Sequence, residues 1–254
     1  MTILRTLKVE KMPVFVFDSP ESLGEEVANE FEKIINSEII NKGEVSVILA
    51  TGNSQLAFIE ALRKKKNIPW DKVYFFHMDE YLGMSEEHPA SFQRYIKDKL
   101  VKHVHPRAFF GIQGDAANVN EELARYKNLL LSHKPSICVL GIGENGHLAF
   151  NDPPADFETE ELIHVVNLDQ ACRIQQVNEG HFPNFDTVPA QAITLTIPAL
   201  LSADNVFAVV PEMRKADAVA TTLYGAVTPN CPASILRTKN NTQLYLDRNS
   251  ALKI

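Results

Sequence analysis

Residues 137–153 read Ile137-Cys138-Val139-Leu140-Gly141-Ile142-Gly143-Glu144-Asn145-Gly146-His147-Leu148-Ala149-Phe150-Asn151-Asp152-Pro153. Ile137 to Leu140 is a short apolar run, the pattern of a strand covered on both faces. Gly141, Gly143 and Gly146 follow, and glycines let a backbone take positive φ and approach a ligand closely. His147 can take or give a proton near neutral pH. Asp152 lies five residues on, near enough to fold back toward it. The same residues also suit a plain strand-to-loop turn with a structural, hydrogen-bonded histidine.

Outward from this stretch, strand-like and helix-like segments alternate. Val14–Phe17, Val45–Ala50, Val73–Met78, Phe109–Phe110, Val206–Val210 and Leu244–Leu246 read as strands. Ile163–Leu168 and Ala192–Ile197 alternate in the same way. Between them, Leu23, Val27, Phe31 and Ile34 recur at helical spacing, as do Val119, Leu123, Tyr126 and Leu130. Ser19 or Asp18 caps the first helix, with Pro20 at its first position. The pattern predicts an α/β fold: a mostly parallel, doubly wound sheet with helices on both faces. A chain of 254 residues fits one such domain over 1–254.

In such sheets ligands bind beyond the carboxyl ends of the strands. Strands here end at Thr51, Asp79, Gly141 and Pro211, which points to one shared site. Thr51-Gly52-Asn53-Ser54 joins a strand to a helix, and free N–H groups, hydroxyls and a helix dipole make a phosphate cradle there. A simple helix cap is the commoner use of such a turn. No Walker lysine follows. Asp79, at a strand end, can face a pocket as a base. Lys215, just past a buried strand, suits an anion, although a lysine there is more often a solvated surface charge.

Net charge is −7, with both signs mixed along the chain, which argues against nucleic-acid or general membrane-surface binding. No apolar stretch approaches the length of a transmembrane helix, and no signal peptide is visible in the first twenty residues. Cys138, Cys172 and Cys231 are widely spaced, with no metal-ligand spacing, as in a reduced cytoplasmic protein. The histidines lack metal spacing as well.

The loop GIGENGHLAFNDPP resembles that of the glucosamine-6-phosphate deaminase (isomerase) family, whose usual form is G-x-G-x-D-G-H-x-A-F-N-E-P. Ala50–Ser54, Met78–Tyr81 and Arg214–Ala216 agree in the same order, so the resemblance spans roughly Val14 to Asp247. It implies a Rossmann-like sugar-phosphate isomerase fold and an enzyme that opens an amino sugar phosphate, isomerises it to a ketose and releases ammonia. No metal or organic cofactor is implied. The partner is a small-molecule sugar phosphate, with homo-oligomers common in the family. Thr51, Gly52, Asn53, Ser54, Gly143 and Lys215 then bind substrate and phosphate. Asp79 moves the proton between carbons, and Glu80 points away into structural bonds. His147 opens the ring.

This chain departs from the family where a charge supports His147. Asn145 replaces an aspartate, and Asp152 replaces a glutamate. Losing a charge-assisted bond costs about 1.5–3 kcal/mol, roughly one to two powers of ten in rate. The Asn145 amide oxygen remains as an acceptor, and Glu144 is a neighbouring substitute. A phosphate arginine is also missing from Gln176–Phe182, leaving Arg173 or Arg237 to supply that charge. The acidic run Phe157–Glu161 lacks the basic residues that the resemblance associates with allosteric control.

Two alternatives remain at this point. The related 6-phosphogluconolactonases share the G-x-G-x-D-G-H loop but continue T-A-S-L-F-P, where this chain reads Leu148-Ala149-Phe150-Asn151-Asp152-Pro153. A sugar-phosphate binder without catalysis is the other. Val14 already begins the α/β pattern, which counts against a DNA-binding regulator.

Overall fold

The computed structural model describes residues 3–254. In chain order the elements are β1 (Ile3–Val9), β2 (Met12–Phe17), α1 (Pro20–Lys42), β3 (Val45–Leu49), α2 (Leu56–Arg63), β4 (Val73–His77), β5 (Asp79–Tyr81) and α3 (Phe92–Ile96). A π-helical turn, Lys97–Val101, carries α3 into α4 (Lys102–Val104). Then come β6 (Ala108–Phe110), α5 (Val119–Ser132), β7 (Ile137–Leu140), β8 (Ile163–Asn167), α6 (Gln170–Asn178), β9 (Gln191–Leu195), α7 (Ile197–Leu201), β10 (Asn205–Val210), α8 (Ala216–Tyr224) and β11 (Thr242–Asp247).

Eight strands form one sheet in the order β1-β2-β11-β10-β7-β3-β4-β6. All its pairings are parallel except β1 with β2. Its central strands β10, β7, β3 and β4 are buried on both faces, as continuous apolar runs demand. Ile48, Phe76, Cys138, Leu140 and Ala208 join one core with α5, α7 and α8. Val47, Phe75, Ile137, Val139 and Phe207 alternate with them into a second core under α1 and α2. Ser19 caps α1 by accepting from the Ser22 N–H, and Pro20 opens the helix. No helix is long and apolar enough to cross a membrane among the described residues.

The doubly wound fold matches the expectation, with two corrections. First, β1 adds an antiparallel edge that the sequence pattern conceals. Ile3 and Leu4 are exposed, and only Leu7 and Val9 reach the core, so the strand has little apolar alternation. Second, the strand predicted over Val73–Met78 does not simply end at Asp79. The chain leaves the large sheet after His77, and Asp79–Tyr81 enters a separate antiparallel sheet, β5-β9-β8. The two alternating segments Ile163–Leu168 and Ala192–Ile197 belong to this small sheet as β8 and β9. A third apolar cluster lies beside it, built on Tyr81, Phe92, Phe150, Cys172 and Phe182.

Candidate active site

The carboxyl ends of β3, β7 and β10 and the start of β5 converge on one cleft. It encloses about 640 Å³ of atom-free space, open solvent included, and Thr51–Ser54, Asp79, Gly143, His147, Arg214 and Lys215 line it. Every expected site residue reaches this cleft except Asn145 and Asp152, which stand behind His147.

At one end, β3 runs into Gly52, whose φ is 95°, then a 3-10 turn over Asn53–Gln55 that feeds α2. Gly52 takes a backbone conformation that side chains rarely adopt. The N–H groups of Thr51, Gly52, Asn53 and Ser54 donate to no described residue. The Tyr95 hydroxyl donates to the Gly52 carbonyl at 2.8 Å and pins the turn. Across from it, β10 ends in a matching 3-10 turn, Met213–Lys215. Lys215 is only 4% exposed, and its ammonium has no hydrogen-bond or ion-pair partner among the described residues. Burial lowers its pKa, against the pull of Glu179. A buried, unpaired cation in the same cleft as four free N–H groups leaves positive charge there without a partner.

The neighbouring Arg214 behaves differently. Its guanidinium contacts Glu212 at 2.5 Å, Glu179 at 2.7 Å and Glu144 at 3.2 Å. Burial would raise the Glu179 carboxyl, but the bonds from His181, Arg214 and Gln175 hold it down to about 2. Glu144 is therefore engaged with Arg214 and does not stand in for the missing charge near His147.

At the other end, Asp79 opens β5 opposite Thr194 of β9. It is 6% exposed, and its carboxylate accepts no hydrogen bond from the described residues. Burial, then the adjacent Glu80, pushes its pKa well above the usual carboxylate range. Glu80 makes the structural bonds expected of it. Its oxygens accept from the N–H groups of Tyr81, Phe92 and Gln93 and from the Ser91 hydroxyl, at 2.8–3.2 Å. These bonds fasten the start of α3 to β5.

The loop after β7 brings His147 into the same cleft as Asp79. Thr194 Oγ1 accepts from the Phe150 N–H at 3.2 Å, and Asn151 Nδ2 donates to the Leu195 carbonyl at 2.9 Å. The small sheet thus holds both Asp79 and the loop. A Cβ at Gly143 would lie 2.3–2.4 Å from the His147 ring, so the glycine leaves room for the imidazole. Its own N–H donates to the His147 carbonyl at 3.0 Å and is not free for a phosphate. Gly143 lines the cleft, and its bare Cα gives the imidazole its room. Among the loop glycines only Gly146 has positive φ, 84°, and it packs against Cys231.

His147 Nδ1 lies 3.1 Å from Asp152 Oδ1. Asn145 faces Asp152 rather than the ring: its Nδ2 donates to Oδ1 at 3.1 Å, and its oxygen accepts from the His147 N–H at 3.0 Å. The expected acceptor thus serves the backbone, not the imidazole. Burial opposes ionisation of Asp152, but the neighbouring imidazole of His147 and the bond from Asn145 outweigh it and lower its pKa. Asn145 supports the histidine through the carboxylate.

A family model described as glucosamine-6-phosphate isomerases/6-phosphogluconolactonase matches residues 18–245. The chain belongs to that family. A glucosamine-6-phosphate deaminase of Exiguobacterium sibiricum is 33% identical over 228 residues, 89% of this chain and 88% of that protein. A solved structure of a monomeric glucosamine-6-phosphate deaminase superposes with a TM-score of 0.87 at 29% identity, covering 95% of this chain and 99% of its own. A 6-phosphogluconolactonase from Shewanella baltica has a TM-score of 0.76 at 18% identity, covering 97% and 99%, and shares the fold.

Neither arginine proposed to replace the family's missing one reaches the cleft. Arg173 donates to the carbonyls of Phe185 and Val188 and lies over the Phe185 ring. Arg237 pairs with Glu10 and donates to the carbonyls of Thr222 and Gly225. Gln175, Gln176, Glu179 and His181 line that wall instead. They come from α6 and the turn after it, which the sequence pattern does not announce: α6 buries only Cys172 and Gln176. An N-cap aspartate, Asp169, was its one local signal. His77, by contrast, is a core histidine, accepting from the Ile112 N–H at 2.7 Å with its pKa lowered by burial to about 3.

Proposed function

We propose that this protein converts glucosamine 6-phosphate and water to fructose 6-phosphate and ammonia, within a single sugar-phosphate domain. One observation carries the reading. A single cleft gathers a turn with free N–H groups, an unpaired lysine, an unpaired buried carboxylate and a histidine. The phosphate lies on the N–H groups of Thr51–Ser54, with Lys215 as counter-charge. His147 takes the C1 hydroxyl proton and returns one to the ring oxygen, with Asp152 balancing the imidazolium. Asp79 then carries the C2 proton to C1. Its raised pKa makes it a stronger base toward a carbon acid than an exposed carboxylate. The isomer holds an imine at C2; water adds there and ammonia leaves.

The identity to named deaminases supports this reading over lactone hydrolysis, since the lactonase likeness is one of fold. Three free, buried cysteines support a reducing, cytoplasmic setting. As for assembly, the deaminase of similar structure is monomeric, unlike the oligomers the resemblance implies.

The test is turnover of glucosamine 6-phosphate with fructose 6-phosphate and ammonia followed together. Equal release of both is expected. Binding of the sugar phosphate, seen as a thermal shift, with neither product formed would leave a binder and sink the deaminase assignment.

A further inference from the structure

Behind the cleft, α6 brings Cys172 against the His147–Asp152 pair. One ligand atom of each residue, an imidazole nitrogen, a carboxylate oxygen and Sγ, lies within 4.8 Å of the other two. His147 is 9% exposed and Cys172 1%. Two polar atoms here are buried without a hydrogen-bond partner: Nδ1 of His147 and Oδ2 of Asp152. Nδ1 sits only 3.1 Å from Oδ1 of Asp152, so the contact is close but not aligned as a hydrogen bond. Nitrogen, oxygen and sulfur donors thus lie together, and His147 and Asp152 each keep a buried polar atom unused. His147 also lines the open cleft, which gives an ion its route.

We infer that His147, Asp152 and Cys172 form an inhibitory site for a thiophilic divalent cation such as Zn²⁺ or Cd²⁺. The donor set is that of zinc rather than magnesium or calcium, which take oxygen ligands. Binding replaces the thiol proton of Cys172, released to solvent, with a metal–sulfur bond. The ion takes no part in turnover. It claims the imidazole nitrogen that faces Asp152 and removes the histidine from proton transfer. Cation binding rests on this geometry alone, and inhibition rests on the role proposed for His147.

The experiment titrates chelator-treated protein with Cd²⁺ and reads the thiolate-to-cadmium charge-transfer absorption. In parallel, Zn²⁺ is titrated against turnover. The band is expected to saturate at one ion per chain and to vanish in Cys172→Ser. That variant keeps its turnover and needs at least about tenfold more Zn²⁺ for inhibition, since even an outer partner is worth that much to a site. Cys172→Ala and Asp152→Asn, read by Cd²⁺ binding alone, serve if the serine variant does not fold. No band in the wild type, or one unchanged without Cys172, overturns the site. Zn²⁺ inhibition that Cys172→Ser does not relieve also overturns it. Should the wild type show no turnover, the cadmium arm still decides the site, and only the deaminase reading fails.

Discussion

At Thr51–Ser54 the cleft is lined by a backbone turn, whereas at Asp79 and His147 it is lined by side chains held by a second sheet. At Thr51–Ser54 the large sheet needs only a strand end and a turn to present N–H groups. At Asp79 and His147, two distant segments must meet, and Thr194 and Leu195 of β9 bring them together. Both ends share one device. Each pairs a free charge with a saturated neighbour: Asp79 beside Glu80, and Lys215 beside Arg214. Glu80 fastens backbone N–H groups and Arg214 holds three carboxylates, while the free neighbour is left with unmet electrostatic demand that a ligand can satisfy.

The sharpest way to break this comparison is Asp79→Asn. Turnover should fall by about 10²–10⁴-fold, with sugar-phosphate affinity kept, as turnover assays and calorimetry would show. Unchanged turnover would remove Asp79 as the base. Its stability should move the other way. A carboxyl with a raised folded pKa favours the fold fully only below its unfolded pKa, about 3.9. That support is lost as pH rises through the folded pKa, so the asparagine variant should melt higher than wild type at neutral pH and lose the advantage in acid.

Gly143→Ala comes next. A methyl 2.3–2.4 Å from the imidazole displaces it, and a misplacement of that kind costs roughly 10²-fold in kcat. KM should change little, because the N–H of residue 143 is already engaged.

Lys215→Met and Arg214→Gln test the other pair. Losing the free cation should raise KM by roughly 10–100-fold, the worth of a charge-assisted bond, and leave kcat nearly intact. Losing the arginine should instead lower the melting temperature, since Glu179, with its side chain 8% exposed, loses its guanidinium partner and keeps only Gln175 and His181. An Arg214 variant with the larger KM effect would reverse the two assignments.

Asn145→Asp should lower turnover by about tenfold rather than improve it. The change trades a 3.1 Å donor to Asp152 for a like charge. A gain in rate would show that the carboxylate swings to the imidazole instead.

The smallest effect is expected from Glu80→Gln. Removing its charge should shift the acid limb of kcat/KM toward lower pH, because Glu80 is the second cause of the raised Asp79 pKa. The ordering of α3 should suffer at the same time, since Glu80 holds three N–H groups and a hydroxyl there.

Local pattern carried the fold a long way. Val45–Ala50, Ile137–Leu140 and Val206–Val210 are apolar runs that only a sheet buried on both faces explains, and their ends mark the cleft. That Thr51–Ser54, Asp79, His147 and Lys215 would share one cleft was legible for the same reason: each lies on a segment that follows a strand of the large sheet, and strand ends are set by neighbours in the chain. What the sequence concealed depends on partners far away. The direction of the Asn145 amide follows from where Asp152 lies. The pairing of Arg173 and Arg237 with backbone carbonyls follows from packing, as does the wall supplied by Gln175–His181. Cys172 has no motif around it and reaches His147 only because α6 lies across the loop. Short-range periodicity encodes elements, since side chains three, four or two residues apart share a face. Which polar groups end up satisfied, and which stay free to act, is decided only when those faces are packed against one another.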